Sequence, residues 1–412
     1  MKLIQPFRGL RPAGGRAAEV AAPPYDVLSS SEARLRAAGK PHSFLHISKP
    51  EIDLPADTDP YAPSVYAKAT ENLSRMLAEG VLVRDDSPCY YAYRLSMPSA
   101  EGMHVQTGLV AAASVAEYDI NRIRKHEYTR PDKEDDRVRQ IEALNAQTGP
   151  VLLVYPESAE ADSLIAAVTL GHAAADLTAD DGIRHEIWVL DDPAQCDAIT
   201  RAFEGMAALY IADGHHRSAA ASRVAAARRQ HGYMLASDYF LTVIFPHHQM
   251  KILDYNRVVK DLNGLDQLTL VTRCQTAFNV EACASRVHPS QTGEFGMYLA
   301  GQWYRLNIKP ELIPTDAVTS LDVSLLSNHL LAPILNITDL RTDKRIDFVG
   351  GIRGLGELEK RVDSGEMAVA FALHATSMTQ LMKVADSNQV MPPKSTWFEP
   401  KLADGLVSHV LD

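Results

Sequence analysis

The sequence predicts a mixed α/β (α+β) protein, and two features of its pattern support this. Short apolar runs typical of buried strands occur at residues 150–155 and 239–245. Between and around them lie Ala-rich or highly charged stretches that favour helices, such as residues 132–147 and 218–229. At 412 residues the chain exceeds one small core, so we expect two or three domains.

The composition indicates an ordinary globular protein and excludes several classes. Hydrophobic residues make up 46% and charged residues 23% of the chain. No apolar run reaches the ~20 residues of a membrane span, and the N-terminus lacks a signal-peptide core, so we expect a cytoplasmic protein with no membrane partner. The four cysteines form no C-x-x-C pair, which argues against a zinc or disulfide framework. A net charge of −11 argues against general nucleic-acid binding.

The N-terminal third is predicted to begin with an irregular, proline-rich path. Pro6, Pro12, Pro23 and Pro24 disfavour regular helix or central strand there. Later elements follow from capping residues and apolar periodicity. They are a helix from Ser29 to near Gly39, a strand at 43–47, a helix at 61–80, and strands at 90–95 and 106–115.

The same signals give the remaining elements. We expect a charged helix at 132–147, strands at 150–155, 185–190, 206–211 and 239–245, and a helix at 218–229. Beyond residue 254 the pattern predicts a small α+β unit over 265–287, a hairpin at 296–306, a helix at 321–331 and a buried strand at 367–373.

A turn rich in polar groups separates the predicted strand at 206–211 from the next helix. It contains Asp213, Gly214, His215, His216 and Arg217. Glycine allows a sharp turn and close approach of a ligand, and a helix N-terminus favours an anion. The guanidinium can grip phosphate oxygens, while the imidazoles can donate hydrogen bonds or transfer protons. An anion site is the favoured interpretation, and a capped turn with solvated basic residues is the alternative.

A second candidate lies before the charged helix. Glu127 is surrounded in sequence by Arg124, Lys125, His126 and Arg130. Cations favour the ionised carboxylate, and a neighbouring imidazole can pass protons. From these residues alone, a solvated charge at a helix start is an equally open interpretation.

The C-terminal tail holds a third candidate, between prolines that restrict its backbone. Lys394, Ser395 and Thr396 all carry groups that can bind phosphate. A plain surface turn is the alternative.

Taken together, these motifs resemble a family of long bacterial proteins of unassigned function that carry the Asp-Gly-His-His-Arg signature. The central part resembles the free serine kinases of the ParB/sulfiredoxin fold. The resemblance rests on Pro6–Gly9, Pro23–Asp26, His126–Thr129, Asp213–Arg217 and Met391–Lys401. One departure is that residues 159–208 separate the strand at 150–155 from the turn, which follows sooner in the compact kinases.

The resemblance implies a division of the chain into three parts. Residues 116–253 would be the ParB/sulfiredoxin-like, nucleotide-binding catalytic core. Residues 1–115 would be an N-terminal α+β addition, and residues 254–412 a C-terminal α+β domain. Because fold does not decide function, the fold carries over more safely than the substrate.

The resemblance also implies roles for individual residues in a kinase acting on a small hydroxyl compound, with free L-serine as the leading acceptor. Glu127 would be the general base, with His126 and Asp213 assisting it. The nucleotide phosphates, from ATP or ADP with Mg²⁺, would lie on a set of polar and glycine residues: Gly214, His215, His216, Arg217, Ser218, Lys394, Ser395 and Thr396. The metal ligands and the oligomeric state stay open.

Two other functions also fit the residues. One is a ParB-like nucleotide-binding regulatory switch without kinase activity, for which the long flanking regions would be interaction surfaces. The other is a metal-dependent phosphohydrolase that uses the histidines. A kinase forms a phosphorylated product, whereas the regulatory switch does not. A phosphohydrolase releases phosphate without an acceptor.

Overall fold

The computed structural model describes residues 2–99, 102–229 and 233–412. The chain divides into two compact units, one formed by residues 1–250 with 400–412 and the other by residues 251–399. Both units contain helices and sheets, so the prediction of a mixed α/β protein is confirmed.

The main sheet of the first unit has nine strands in the described part of the chain. Eight of them lie in the order Ile123–Arg124, Leu209–Asp213, Val151–Tyr155, Tyr239–Pro246, Gly102–Ser114, Tyr90–Ser99, Arg184–Leu190 and Ala175–Thr178, and Ile4–Gln5 pairs with Gly102–Ser114. The strands Val151–Tyr155 and Tyr239–Pro246 run parallel to each other and are buried throughout. Burial on both faces explains their uninterrupted apolar sequence.

Helices cover this sheet and a smaller one. The helices of the first unit are Ala17–Val20, Ser30–Ala37, Leu45–Ser48, Pro63–Ala78, Val115–Asp119, Pro131–Leu144, Ala159–Val168, Pro193–Glu204 and His215–Arg228, with 3₁₀ turns at Tyr25–Val27, Pro50–Asp53, Ala236–Asp238 and His247–Gln249. The smaller sheet has the strand order Leu82–Arg84, Gly9–Pro12, Ser408–Val410 and Ala146–Gln147. Its most C-terminal strand, Ser408–Val410, lies between Gly9–Pro12 and Ala146–Gln147 and pairs with both.

The second unit is built on an antiparallel sheet. Its strand order is Phe278–Cys283, Gln302–Ile308, Glu294–Leu299, Val369–Leu373, Tyr255–Val259 and Ile346–Gly350, and Lys251–Leu253 pairs separately with Trp397–Glu399. Its helices are Gln267–Cys274, Asp322–Leu326 continued by a π-helical turn Ser327–Leu331, Leu355–Asp363 and Met378–Asp386, with 3₁₀ turns Pro310–Leu312 and Gly351–Arg353. The predicted hairpin is the pair Glu294–Leu299 and Gln302–Ile308.

Two predictions are wrong. The proline-rich start of the chain is predicted to lack a central strand, but Gly9–Pro12 is an inner strand of the smaller sheet. Residues 43–47 were expected to form a strand, but the chain forms the short helix Leu45–Ser48. Phe44, Leu45 and Ile47 are all buried, and a short apolar run of this kind does not distinguish a strand from a buried helical turn. Most other predicted elements occur within a few residues of their expected bounds; for example, Ser29 caps the helix Ser30–Ala37 through a capping box.

None of the helices in the described residues has the length and apolar character needed to cross a bilayer.

Candidate functional site

The Asp213–Arg217 turn joins a buried strand to a helix, as predicted. The strand Leu209–Asp213 ends at the carboxylate, and the helix His215–Arg228 begins one residue later. Gly214 between them has a φ of 98°, which residues other than glycine rarely adopt. A Cβ at Gly214 would lie 3.2 Å from the Arg217 guanidinium and 3.3 Å from Val151 Cα. The turn therefore requires glycine both for conformation and for space.

The Glu127 loop lies beside this turn because of strand pairing. Ile123–Arg124 runs parallel to Leu209–Asp213, with Arg124 opposite Tyr210. Parallel strands end at the same edge of a sheet. The segments that follow Arg124 and Asp213 therefore leave the sheet on the same side. The loop after Arg124 carries Glu127, whose side chain is 49% exposed, before the helix Pro131–Leu144 begins.

His215 contacts this loop through both ring nitrogens. The His126 amide donates to His215 Nε2 at 3.4 Å, and His215 Nδ1 lies 3.8 Å from Glu127 Oε2. Burial, and then the nearby His126, lower the pKa of His215 well below its ordinary value. A neutral ring that accepts at Nε2 carries its proton on Nδ1. That proton points toward the Glu127 carboxylate.

His216 holds the other end of the same loop. The Arg130 amide donates to His216 Nε2 at 3.1 Å. Burial lowers the pKa of His216, with Glu134 opposing the change. In the neutral ring, Nδ1 therefore carries the proton, so His216 can donate one hydrogen bond to an anion.

His126 is buried among these groups. Its ring lies perpendicular to the His215 ring, with 4.5 Å between centroids. Burial lowers the pKa of His126 to about 4. Its Nδ1 has no hydrogen-bond partner within residues 2–99, 102–229 and 233–412.

Arg217 and Asp213 form a charged pair at the start of the helix. Arg217 Nη2 donates to Asp213 Oδ2 at 3.2 Å and lies 3.6 Å from Asp26 Oδ2, while Nη1 donates to the Pro150 carbonyl. Burial opposes the charge on Arg217, but Asp213 and Asp26 outweigh it and raise the pKa of Arg217. Burial also opposes ionisation of Asp213, yet Arg217 and Lys401 lower the pKa of that carboxyl.

The remaining predicted site residues lie in two places. The Ser218 hydroxyl is buried and donates to the His215 carbonyl at 3.0 Å, inside its own helix. Lys394, Ser395 and Thr396 belong to the second unit. There the Ser395 hydroxyl donates to the Pro392 carbonyl at 2.7 Å.

The sequence matches one known protein family over most of its length. A model of the DUF1015 family, described as a protein of unknown function, matches residues 4–324. The chain belongs to this family. The matched part of this DUF1015 chain includes both the Glu127 loop and the Asp213–Arg217 turn. No curated protein matches the chain.

Several solved structures are similar to the DUF1015 chain at low sequence identity. A free serine kinase variant in complex with AMP is 14% identical with a TM-score of 0.37, and the alignment covers 73% of this chain and 92% of that one. A conserved hypothetical protein from Pyrococcus furiosus is 15% identical with a TM-score of 0.34, covering 73% and 95%. SbnI with a C-terminal truncation, from Staphylococcus aureus, is 11% identical with a TM-score of 0.31, covering 72% and 85%.

A cleft next to the turn contains residues that the sequence did not single out. It encloses about 480 Å³, including its open mouth, and its lining includes Arg217, Tyr25, Arg137, Asp404 and the neighbouring backbone. The Arg137 guanidinium lies 3.9 Å from the centre of the Tyr25 ring. Burial, with Arg217 opposing it, raises the pKa of Asp404 to about 7.

Sequence spacing carries no signal for this cleft in the DUF1015 chain. Arg137 is one of many charges on the helix Pro131–Leu144. Asp404 lies beyond the matched residues, and a backbone bridge to Ala22 holds it beside the N-terminal segment of the first unit. Of the lining residues named above, the sequence singles out Arg217, in the predicted anion site, and the proline-rich segment around Tyr25.

Proposed function

We propose that the chain is a kinase that transfers a phosphoryl group from ATP or ADP to the hydroxyl of a small molecule, with free L-serine as the leading acceptor. The observation that carries the proposal is the approach of Glu127 Oε2 to His215 Nδ1, at 3.8 Å. It puts a carboxylate base beside the N-terminus of the helix His215–Arg228, where an anion is favoured. The motif resemblance supports the same assignment.

Phosphate binding would use the first turn of this helix. The amides that follow Gly214 are unpaired donors at a helix start. His216 adds the Nδ1 proton that its bond to Arg130 leaves on that nitrogen. Arg217 contributes a positive charge held in place by Asp213 and Asp26. Phosphoryl transfer depends mainly on positioning and charge neutralisation, which these groups supply.

Glu127 would act as the general base. Its carboxylate accepts the proton of the acceptor hydroxyl as the new O–P bond forms and the bond from phosphorus to the nucleotide oxygen breaks. The side chain is half-exposed, so a small acceptor can reach it. His215 Nδ1–H faces this carboxylate and orients it. Positioned proton transfer of this kind contributes about 10²- to 10⁴-fold in rate.

Mg²⁺ fits this site through Asp213. Magnesium at phosphoryl-transfer sites is held by one or two carboxylates together with substrate phosphates and water. Asp213 is the carboxylate at the turn, and its side chain is 42% exposed. When bound, Mg²⁺ would supply charge neutralisation to the phosphates. Asp213 would hold the ion; its two oxygens accept hydrogen bonds from the Gly214 amide at 2.9 Å and from Arg217 Nη2 at 3.2 Å.

Phosphorus NMR tests the proposal directly. The protein is incubated with Mg²⁺, L-serine and either ATP or ADP, and the spectrum is followed for O-phosphoserine. We expect product in the wild type and its loss in Glu127→Gln. If nucleotide is consumed without L-serine being phosphorylated, other small hydroxyl compounds replace it in the same assay. Absence of phosphorylated product from all acceptors contradicts the kinase assignment.

The alternative function is a ParB-like nucleotide-binding regulatory switch without kinase activity. The observation in its favour is a separate compact unit at residues 251–399, which offers a surface for a partner. A switch binds nucleotide and changes shape without forming phosphorylated product. Small-angle scattering with and without nucleotide, beside the NMR assay, separates the two functions.

A further inference from the structure

The second unit contains a buried cation without a counter-charge. Arg257 lies in the strand Tyr255–Val259 and has an exposed fraction of 0%. Its Nη1 donates to the Tyr255 carbonyl, and its Nη2 donates to the Lys394 carbonyl at 2.9 Å. Among the described residues its Nε has no hydrogen-bond partner, and no carboxylate there contributes to the pKa of its guanidinium. Burial lowers the pKa of Arg257 to about 10.

A second cation lies next to the first. Lys394 is exposed, and its Nζ lies 5.7 Å from the centre of the Tyr255 ring. The Arg257 guanidinium carbon lies 5.9 Å from the centre of the same ring. Trp397 packs edge-on against this ring, with 5.2 Å between centroids. Both cations therefore lie near the Tyr255 ring, and the Arg257 guanidinium carbon also lies 5.2 Å from the centre of the Phe348 ring, in a chain whose net charge is −11.

The turn that carries Lys394 is held in one conformation. Lys394 has a φ of 59°, a left-handed conformation that is unfavourable for lysine. Three hydrogen bonds fix the backbone around it: Arg257 to the Lys394 carbonyl, Ser395 Oγ to the Pro392 carbonyl, and Thr376 Oγ1 to the Ser395 carbonyl. The exposed ammonium is thus presented on a rigid support.

A charge buried without a counter-ion is costly. Arg257 is buried beneath the strained turn that carries Lys394, and an anionic ligand at this turn would offset the cost of burying its charge. We propose that the Lys394 turn, with Arg257 beneath it, binds the phosphate group of a small molecule. Lys394 contacts the phosphate, whereas Arg257 positions the turn and adds its charge from below. This site lies wholly within residues 251–399 and does not depend on the proposed kinase reaction.

NMR of reductively ¹³C-methylated lysines tests the site at residue level. The Lys394 signal is assigned by its loss in Lys394→Gln, and the Lys360 signal by its loss in Lys360→Gln. Lys360 is the matched control because it is exposed in the same unit but faces Glu357 at 3.7 Å. With inorganic pyrophosphate as the probe, we expect a saturable shift of the Lys394 signal and none of the Lys360 signal. Equal responses of both lysines, or no response of Lys394, overturn the proposal.

A second measurement uses Trp397 as the reporter. Pyrophosphate is titrated while tryptophan fluorescence is followed, and the Trp397→Phe variant identifies the contribution of this residue. Loss of one charge-assisted contact should raise the apparent Kd about tenfold or more in Lys394→Gln, whereas Lys394→Arg should retain binding. An unchanged Kd in Lys394→Gln contradicts the site. Neither measurement depends on turnover, so failure here is distinct from failure of the kinase proposal.

Discussion

The imidazole of His216 accepts a hydrogen bond from the backbone amide of Arg130, with 3.1 Å between Nε2 and N. His215 accepts in the same way from the His126 amide at 3.4 Å. The two histidines of the turn thus hold both ends of the loop that carries Glu127. The paired histidines therefore have a structural role in holding this loop, in addition to the phosphate binding that we propose for the turn.

Replacing Glu127 with Gln should remove the base and leave the fold intact. We expect turnover to fall about 10²- to 10⁴-fold, with nucleotide affinity unchanged. Glu142→Gln is the control, since Glu142 is exposed on the next helix. Rates from phosphorus NMR and affinities from calorimetry are compared for both variants. A fully active Glu127→Gln protein removes Glu127 from the mechanism.

Replacing His216 with Ala should release one end of the Glu127 loop. We expect the maximal rate to fall about fivefold, because one neutral hydrogen bond is worth about 1 kcal/mol. His216→Gln retains an acceptor and should recover part of the rate. If both variants lose the same activity, the hydrogen bond to Arg130 is not what His216 contributes. Hydrogen exchange at the Arg130 amide measures the loss of the bond independently of catalysis.

Replacing Arg217 with Ala should lower both stability and nucleotide affinity. Asp213 and Asp26 would lose their shared cation, whose side chain is largely buried while theirs are about 40% exposed, so the loss should cost roughly 1–3 kcal/mol, between the values for exposed and buried pairs. Arg223→Ala is the control on the same helix, because its pairs with Glu134 and Asp135 are exposed and should contribute about 0–1 kcal/mol. Urea unfolding and nucleotide titration measure the two effects. Equal stability of the two variants contradicts this assignment.

Replacing Gly214 with Ala separates conformational strain from crowding. Gly214 has a φ of 98° and little space for a Cβ, whereas Gly182 has a φ of 81° and open space around it. A left-handed alanine costs roughly 1–2 kcal/mol, so Gly182→Ala should lose about that amount. Gly214→Ala should lose more, as measured by urea unfolding. Equal losses would show that the turn has room for a side chain.

Acid should destabilise the first unit through its buried histidines. Burial lowers the pKa of His126, His185 and His409 to about 4 each. Between pH 6.5 and about 4 the unfolded chain binds these protons and the folded chain does not, so stability falls as the pH falls. Each histidine contributes up to about 1.4 kcal/mol per pH unit. Asp404, with a pKa raised to about 7, acts in the opposite direction.

Urea unfolding of the wild type and of His126→Gln at several pH values measures this dependence. Between pH 6 and 5, the unfolding free energy of the variant should change less steeply with pH, by the contribution of about one proton. His172→Gln is the control because His172 is exposed. If His126→Gln retains the wild-type slope, His126 is not a neutral buried group in the folded protein.

Local features of the fold could be predicted, and pairings between distant segments could not. The turn at Gly214 was predictable because a strand, a glycine and a helix follow each other within a few residues. That Glu127 lies beside this turn depends on the parallel pairing of Ile123–Arg124 with Leu209–Asp213, which leaves no local signal. The motif resemblance supplied that relationship. The backbone bridge between Asp404 and Ala22 could not be predicted, because an isolated pair of bridged residues has no sequence pattern.

The first unit is formed by two separate parts of the chain, and this affects the order in which it can fold. Residues 400–412 belong to it, and they supply the strand Ser408–Val410 and Asp404 of the cleft. On the ribosome these residues emerge only after all of residues 251–399. The smaller sheet of the first unit therefore stays incomplete while the second unit is translated. Pairing across so many residues is slow, so completion of the cleft is expected to be a late event in biogenesis.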